Sequence, residues 1–391
     1  MRKDWEYKKL KDICSFVGDG DWIESKDQSN AGLRLIQTGN IGNGIFHDKA
    51  EKAKYISEST FIELSCTEIF HGDCLLSRLP DPIGRSCILP QLNERAITAV
   101  DCTILRFTNK IYPTFFVYYT LSTPYAISII SKTTGSTRKR ISRKNLEGIL
   151  IPIPPKPTQL AIVAELDKIN ELIQLKKQQL KDYDQLAQSI FYEMFGDPVE
   201  NEKGWEVKKL GEIALEKMSY GSGASAVPYN QKIRYIRITD IDELGCLKKD
   251  IVSPNICEDK YLLSDGDILF ARSGATVGKT FLFKSTYGSC IYAGYLIRLR
   301  PNTQIVIPEY IYHYTKTHYY RSFIESNQRV VAQPNINAQQ YSSLKLPLPP
   351  LPLQQQFAAR IEAIERQKQQ VSETIKDLET LLASRMQYWF D

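Results

Sequence analysis

The sequence predicts an α+β protein with two domains of mixed α and β structure, related by a pseudo-two-fold axis and separated by an antiparallel coiled coil of two long helices. Three observations lead to this fold class. The chain contains an internal repeat, each copy ends in a long heptad pattern, and each copy holds short runs rich in β-branched and aromatic residues. A length of 391 residues also favours more than one domain.

The internal repeat is carried by three motifs that each occur twice. They are Trp-Glu-x-Lys-Lys-Leu at residues 5–10 and 205–210, Gly-Asp-x-Leu-x-x-Arg at 72–78 and 266–272, and Pro-x-Pro-Pro-x-Pro-x-Gln at 152–159 and 347–354. The offset changes only between 200 and 194 residues, so the copies differ by small loop insertions.

Between these motifs, each copy mixes short β-rich runs with aromatic segments that we predict to be helical. The predicted strands are residues 33–36, 102–107, 234–238, 267–270, 280–283 and 295–299, and the predicted helices are residues 114–121 and 309–315.

The two proline runs mark domain boundaries, because proline fixes φ and keeps the preceding residue out of the α region. We predict a first domain at 1–150, a connector at 151–157, a helix at 158–196, a second domain at 197–346, a connector at 347–352 and a helix at 353–391.

Each predicted helix has ten apolar or seam positions at 4-3-4-3 spacing, which is typical of a coiled coil. A helix of about 38 residues is roughly 57 Å long, which exceeds what one small domain can cover. The alternative is two amphipathic helices that pack separately on their own domains. The predicted seam consists of Ile162, Leu166, Ile169, Ile173 and Leu180 in the first helix and Phe357, Ile361, Ile364, Val371, Ile375, Leu378 and Leu382 in the second.

Each seam also contains one lysine, Lys176 or Lys368, at non-equivalent heptad positions. A charge at a seam position can fix the register of two helices, or its long side chain can extend to solvent. The sequence leaves both interpretations open.

Composition excludes several classes of protein. A hydrophobic content of 42% with 24% charged residues is typical of a globular protein, and no apolar run reaches the ~18 residues that a membrane span needs. The eight cysteines form no Cys-x-x-Cys pair, and with four histidines they predict neither a metal site nor a disulfide framework. Together with an amino terminus unlike a signal peptide, this predicts a cytoplasmic protein with reduced thiols.

Two segments imitate cofactor loops. Residues 16–20 match the Phe-x-Gly-x-Gly loop of adenosylmethionine-dependent methyltransferases, but no Asn/Asp-Pro-Pro-aromatic segment follows. Residues 274–280 resemble a phosphate-binding loop that is one residue too short. We therefore predict no cofactor, no metal and no catalytic residue in this chain. An adenosylmethionine- or nucleotide-binding enzyme remains the alternative.

Basic residues are concentrated near the end of the first copy. Residues 131–145 contain Lys132, Arg138, Lys139, Arg140, Arg143 and Lys144 without an acidic residue. Such a run is either a solvated surface or a contact with nucleic acid, and its place in a duplicated chain favours DNA. Both copies also keep an Arg followed by a Gly-cation pair, at Gly84-Arg85 and Gly278-Lys279, which predicts phosphate contacts.

Taken together, the three repeated motifs resemble those of the specificity subunits of type I restriction-modification systems, over essentially the whole chain. This resemblance implies two target-recognition domains that each read one half of a bipartite, asymmetric site on double-stranded DNA. It implies two methyltransferase subunits as partners, which hold adenosylmethionine and methylate adenine, and restriction subunits that use ATP. A coiled-coil adaptor that binds only protein is the remaining alternative.

For contacts with DNA we predict cationic and amide side chains, since these residue types bind phosphates and base edges. The predicted residues are Arg34, Gln37, Asn40, Arg78, Arg85, Arg138, Lys139 and Arg140 in the first copy and Arg237, Asp240, Arg272, Ser273, Lys279, Arg329 and Gln333 in the second.

Overall fold

A computed structural model describes residues 5–135, 139–242, 245–248, 250–328 and 335–391. The chain divides into two compact units, residues 1–176 with 374–391 and residues 177–373. Each unit therefore combines the domain of one copy with a segment of the helix that ends the other copy. This division differs from the predicted one, in which each long helix is a segment of its own.

The first copy contains strands, α-helices and short 3-10 helices. The strands are β1 (Glu6–Lys9), β2 (Cys14–Asp19), β3 (Gln28–Ser29), β4 (Leu33–Ile36), β5 (Lys54–Ile56), β6 (Glu68–Ile69), β7 (Cys74–Ser77), β8 (Ser86–Ile88), β9 (Ala96–Thr98), β10 (Cys102–Phe107) and β11 (Leu150–Ile153). The α-helices are α1 (Glu58–Glu63), α2 (Pro113–Thr120), α3 (Thr123–Ser131), α4 (Arg143–Glu147) and α5 (Lys156–Phe195), and the 3-10 helices are Leu10–Ile13, Ser25–Asp27, Thr38–Asn40 and Ala50–Lys52.

The second copy contains a corresponding series. Its strands are β12 (Glu206–Lys209), β13 (Ser219–Tyr220), β14 (Ala226–Pro228), β15 (Arg234–Ile236), β16 (Val252–Pro254), β17 (Ile268–Ala271), β18 (Thr280–Leu282), β19 (Cys290–Tyr292), β20 (Leu296–Leu299) and β21 (Lys345–Leu348). Its helices are α6 (Pro308–Tyr314), α7 (His318–Gln328), α8 (Ala338–Ser342) and α9 (Leu351–Phe390), with 3-10 helices at Leu210–Glu212, Ile238–Asp240, Asp259–Tyr261, Gly274–Thr276 and Ser285–Tyr287.

Both copies share a four-stranded sheet and a parallel pair of strands. Each contains a four-stranded antiparallel sheet, in the order β2-β10-β7-β8 or β13-β20-β17-β18. A parallel pair lies in each copy as well, β4 with β9 and β15 with β19, and the first copy extends its pair to the sheet β3-β5-β4-β9-β6. The predicted strands and helices are all present, with ends within two residues, so the repeat in sequence is also a repeat of fold.

The Gly-Asp motif builds the same turn twice. Gly72 and Gly266 have φ of 88° and 84°, a left-handed conformation that glycine adopts without a steric penalty. The Asp73 carboxylate accepts two hydrogen bonds of 2.9 Å from Arg106, and Asp267 does the same with Arg300. This buried carboxylate ties the turn to the neighbouring strand, which accounts for the motif without a ligand.

Each proline run is part strand and part helix, and only two residues between them form a connector. Strand β11 extends through Ile153 and pairs with β1, with Pro152 opposite Tyr7. Helix α5 then begins at Lys156, two residues earlier than predicted. Pro157 fits into the first turn because the N–H that proline lacks has no partner within a helix at that position.

The glutamine that ends each proline motif is fully buried, at Gln159 and Gln354. Gln159 Oε1 accepts the Tyr112 backbone N–H at 2.8 Å, and its Nε2 donates to the Pro154 carbonyl at 2.9 Å. Gln354 makes the corresponding bonds to Ile307 and Pro349. The glutamine thus joins the start of a long helix to the start of α2 or α6.

Segments of the two long helices contact each other within each unit. In the first unit, Arg385 forms an ion pair with Glu165, which also accepts the Trp389 indole N–H at 2.9 Å. In the second unit, Lys368 Nζ lies 2.9 Å from Asp184 Oδ1, and Phe357 packs against Phe195. Within the second unit the segments are antiparallel, because higher numbers on α5 meet lower numbers on α9.

Most predicted seam residues are buried. The buried ones are Ile162, Leu166, Ile169, Ile173, Phe357, Ile361, Ile364, Val371 and Ile375, and the half-buried ones are Leu180, Leu378 and Leu382. The seam position Lys368 pairs with a carboxylate of the opposite helix, which favours the register interpretation for this lysine. No described helix has an apolar stretch that could cross a bilayer.

Candidate nucleic-acid interface

Each copy places an arginine directly after the same strand of its four-stranded sheet. Arg78 follows β7 and Arg272 follows β17. The Ile141 N–H donates to the Arg78 carbonyl at 3.3 Å, and the Ile336 N–H donates to the Arg272 carbonyl at 2.9 Å. The chain segment just before α4 or α8 therefore lies beside this arginine in both copies.

Strand register identifies the other residues at this place. Thr103 pairs with Asp19 and Leu76 in the first copy. Ile297 pairs with Tyr220 and Phe270 in the second, so Tyr220 corresponds to Asp19.

The residues that directly precede β10 and β20, Asp101 and Tyr295, are also equivalent in the two copies. The Arg78 N–H donates to the Asp101 carbonyl at 3.0 Å, and the Arg272 N–H donates to the Tyr295 carbonyl at 3.1 Å. Tyr295 therefore corresponds to Asp101. We call Asp19, Arg78, Asp101, Arg140 and Arg143 the first arginine cluster, and Tyr220, Arg272, Tyr295 and Asn335 the second arginine cluster.

A closely packed glycine holds each cluster in place. A Cβ at Gly20 would lie 2.3 Å from the Ala99 carbonyl oxygen, and one at Gly221 would lie 2.4 Å from the Ala293 carbonyl oxygen. Only glycine permits this approach, which fixes the backbone after Asp19 or Tyr220. Close backbone packing therefore explains Gly20, the second glycine of the Phe-x-Gly-x-Gly segment.

The first arginine cluster is built around a buried cation. Arg78 is 4% exposed, its Nη2 donates to the Val100 carbonyl at 2.6 Å, and its Nε lies 3.4 Å from Asp19 Oδ1. A buried charge requires such partners because its desolvation is costly. Arg78 therefore anchors the carboxylates of the cluster.

Two more arginines of the first arginine cluster extend to solvent. The Arg140 side chain is 50% exposed with Nη2 3.4 Å from Asp101 Oδ1, and the Arg143 side chain is 48% exposed with Nη1 3.8 Å from Asp19 Oδ2. Arg140 and Thr134 exchange two backbone hydrogen bonds of 2.9 Å. Two exposed guanidinium groups thus lie within ion-pair distance of the carboxylates of this cluster.

The second arginine cluster has aromatic rings where the first has carboxylates. The Arg272 guanidinium lies 4.7 Å from the centroid of the Tyr220 ring, and its Nε donates to Asn335 Oδ1 at 3.3 Å. Tyr220 and Tyr295 are 42% and 62% exposed. A cation beside exposed rings and an amide can contact phosphates, sugars and bases.

Five of the predicted contacts have structural roles instead. Arg34 is buried and pairs with Asp48 and Glu94, and Arg85 donates to the carbonyls of Ile41, Leu79, Pro82 and Thr38. Asn40 and Asp240 accept the N–H groups of Gln37 and Arg237, while Arg78 anchors its cluster. Because these side chains are buried, we assign Arg34, Asn40, Arg78, Arg85 and Asp240 to the fold rather than to the DNA surface.

Burial and pairing also shift the pKa of two of the predicted contacts, Arg85 and Arg237. Desolvation lowers the pKa of Arg85, whereas the hydrogen bonds to Asp240 raise the pKa of Arg237. Arg237 therefore supports the 3-10 helix beside it.

The other predicted contacts reach the surface to different degrees. Gln37, Lys139 and Arg140 are exposed, and Arg237, Arg272, Ser273 and Lys279 are partly exposed. Arg138, Arg329 and Gln333 lie outside the described residues. Tyr220 and Tyr295 were not predicted as contacts, although an alignment of the copies through Gly20 and Gly221 would have pointed to Tyr220.

Comparison with known proteins is consistent along the chain. Residues 2–182 and 202–380 each match the sequence model of the type I restriction modification DNA specificity domain. The chain is 24% identical to the putative type I restriction enzyme MjaX specificity subunit of Methanocaldococcus jannaschii, over 97% of this chain and 93% of that protein. It is 26% identical to the MjaIX specificity subunit of the same organism, over 70% of this chain and 67% of that protein.

The fold also matches a solved structure. A chain from a structural study of complex assembly and conformational transition of the type I R-M system aligns with a TM-score of 0.58 and 18% identity, over 100% of this chain and 98% of that chain. The mixed α/β fold with two copies of the domain is therefore shared with that chain.

Proposed function

Since the chain belongs to the type I restriction modification DNA specificity family, we propose that it is a non-catalytic DNA-binding subunit that recognises a bipartite, asymmetric site. One observation supports the bipartite site above all. Two domains with the same framework carry different side chains at equivalent positions: exposed Arg140 against exposed Asn335, and partly exposed Asp101 against exposed Tyr295. Each domain would then read a different half-site.

Binding has a sequence-independent and a sequence-dependent part. Cations such as Lys139 and Arg143 contact phosphates, so salt weakens this part of the affinity steeply. Exposed side chains such as Arg140 and Asn335 contact base edges, where each mismatched base pair costs roughly 1–3 kcal/mol.

The two long helices act as the spacer between the half-sites. We propose that α5 and α9 form one antiparallel coiled coil, which the ion pairs Glu165–Arg385 and Asp184–Lys368 support. The helices also recruit two methyltransferase subunits and, with them, restriction subunits. Adenosylmethionine and ATP are then bound by these partners, which methylate adenine or cleave DNA.

Selection of duplexes from a randomised library tests this function. The chain, assembled with its methyltransferase subunits, is expected to enrich two short motifs at a fixed separation. Enrichment of a single motif, or of none, would contradict a bipartite reader.

Calorimetric titration of the purified chain with adenosylmethionine or ATP tests the absence of catalysis. We expect no heat of binding, because packing against Ala99 explains Gly20 without a cofactor. Measurable binding by the chain alone would favour an enzyme.

A further inference from the structure

We propose that Arg140 and Asn335 are equivalent base-reading residues, with Arg140 reading guanine in one half-site and Asn335 reading adenine in the other. This inference rests on the proposed function, because it assigns the specificity of the two domains. It is carried by the shared backbone around the two residues and by the different partners that orient their side chains.

The two residues occupy the same position in the fold. Each directly precedes an isoleucine, Ile141 or Ile336, whose N–H donates to the carbonyl of the cluster arginine. One residue further, Ser142 or Asn337 caps the short helix α4 or α8 by accepting a backbone N–H. The two residues therefore share the backbone that follows them, while their own β-bridges differ, Arg140 with Thr134 and Asn335 with Ser273.

The backbone of Arg140 is fixed by hydrogen bonds, and its side chain lies beside a carboxylate. Its backbone exchanges two hydrogen bonds with Thr134, and Asp101 lies 3.4 Å from its Nη2. The guanidinium has five N–H donors in a rigid plane, so one carboxylate engages only part of them. A half-exposed guanidinium beside one carboxylate therefore keeps N–H donors available for a base.

Asn335 is exposed and is oriented by a different partner. Its Oδ1 accepts a hydrogen bond of 3.3 Å from Arg272 Nε, and the Arg272 guanidinium is itself positioned over Tyr220. This bond places the amide oxygen towards Arg272 and the Nδ2 donor away from it. The oxygen has a second lone pair, so the amide can still accept and donate at the same time.

The two side chains match different bases in the major groove. Guanine presents two acceptors, O6 and N7, which suit the parallel donors of an arginine. Adenine presents the N7 acceptor and the N6 donor, which suit the donor and acceptor of an asparagine amide. Arg140 and Asn335 would therefore give the two half-sites different sequences.

Exchange of the two side chains tests this assignment. The variants Arg140→Asn and Asn335→Arg are assembled with the methyltransferase subunits and used to select duplexes from a library randomised in both half-sites. We expect Arg140→Asn to reduce the preference for one guanine roughly tenfold or more, with the other half-site unchanged. Asn335→Arg is expected to do the same to one adenine of the other half-site.

Two matched control variants distinguish the loss of a base contact from the general effect of adding or removing a positive charge. Arg95→Asn makes the same substitution at an arginine of similar exposure, 47% against 50%, that is also paired with carboxylates. Gln304→Arg adds an arginine at an exposed amide of the second copy. Both controls are expected to leave every base preference unchanged.

A conservative variant distinguishes a base contact from a phosphate contact. Arg140→Lys keeps the charge but loses the planar fork, so we expect the guanine preference to fall while the salt dependence stays the same. Thermal unfolding of each variant confirms that it folds.

The possible results distinguish a failure of the base assignment from a failure of the proposed function. A wild-type complex that selects a bipartite motif while Arg140→Asn and Asn335→Arg select the same motif would overturn the base assignment alone. So would an equal loss of affinity for all sequences, which indicates a phosphate contact. A wild-type complex that selects no bipartite motif would instead contradict the proposed function.

Discussion

The Arg272 guanidinium lies 4.7 Å from the centroid of the Tyr220 ring, while the corresponding Arg78 has its Nε 3.4 Å from Asp19 Oδ1. One arginine is thus held by an aromatic face and the other by a carboxylate, at equivalent positions of two related domains. The carboxylate pairing accompanies a buried arginine, whereas the aromatic pairing accompanies a partly exposed one.

Replacement of Tyr220 by alanine is expected to weaken DNA binding about two- to fivefold, because the ring that positions the Arg272 guanidinium is lost and such a contact contributes ~0.5–1 kcal/mol at an exposed site. Tyr220→Phe keeps the ring and should retain most of the affinity. Binding isotherms at constant salt measure both effects. Tyr229→Ala is the matched control, since both tyrosines are 42% exposed, and a loss of the same size in this control would contradict a specific role for Tyr220.

Gln354→Ala is expected to lower the free energy of unfolding by at least about 2 kcal/mol. The substitution leaves the Ile307 N–H and the Pro349 carbonyl without their partner, and each unsatisfied buried group costs ~1–3 kcal/mol. Urea unfolding monitored by circular dichroism gives the difference. The neighbouring exposed Gln355→Ala should change it by less than ~0.5 kcal/mol, and equal effects would refute the role assigned to Gln354.

We expect the protein to lose stability in acid because of the buried side chain of His313. Burial, followed by repulsion from Lys316, Lys368 and Lys284, lowers the pKa of His313 from 6.5 to about 3. The unfolded chain therefore binds one more proton than the folded chain between these pH values, so stability is present above 6.5 and is lost as pH falls towards 3.

Urea unfolding between pH 7 and pH 4 measures this dependence, and His313→Leu should make it shallower. His71→Leu, at an exposed histidine, serves as the control. An identical pH dependence in wild type and His313→Leu would show that another group is responsible.

Insertion of one heptad into both long helices is expected to lengthen the spacer between the half-sites. Seven residues add about 10 Å of helix, which corresponds to ~3 base pairs at 3.4 Å each. Library selection with the variant complex should recover the same two half-sites at a greater separation. An unchanged separation would refute the idea that helix length sets the spacing.

The resemblance to specificity subunits was predicted from three repeated motifs, and the family match confirms it. The motifs were informative because each builds the same structural feature in both copies: the strands β1 and β12, the turns at Asp73 and Asp267, and the junctions at Gln159 and Gln354. Individual DNA contacts were harder to predict. Residue type suggested Arg34 and Arg85, but their guanidinium groups bond to carboxylates and carbonyls far away in sequence.

The sequence by itself determined the repeat, six of the strands, the two long helices and the family, because these depend on periodicity and on motifs that are local in the chain. Only the tertiary structure decided which arginines are buried and which of them share a cluster. Strand pairing brings Asp19 and Arg78 together, and Tyr220 and Arg272, across more than 50 residues in each case. No local pattern records such a pairing, so the chemical difference between the two domains became visible only in the fold.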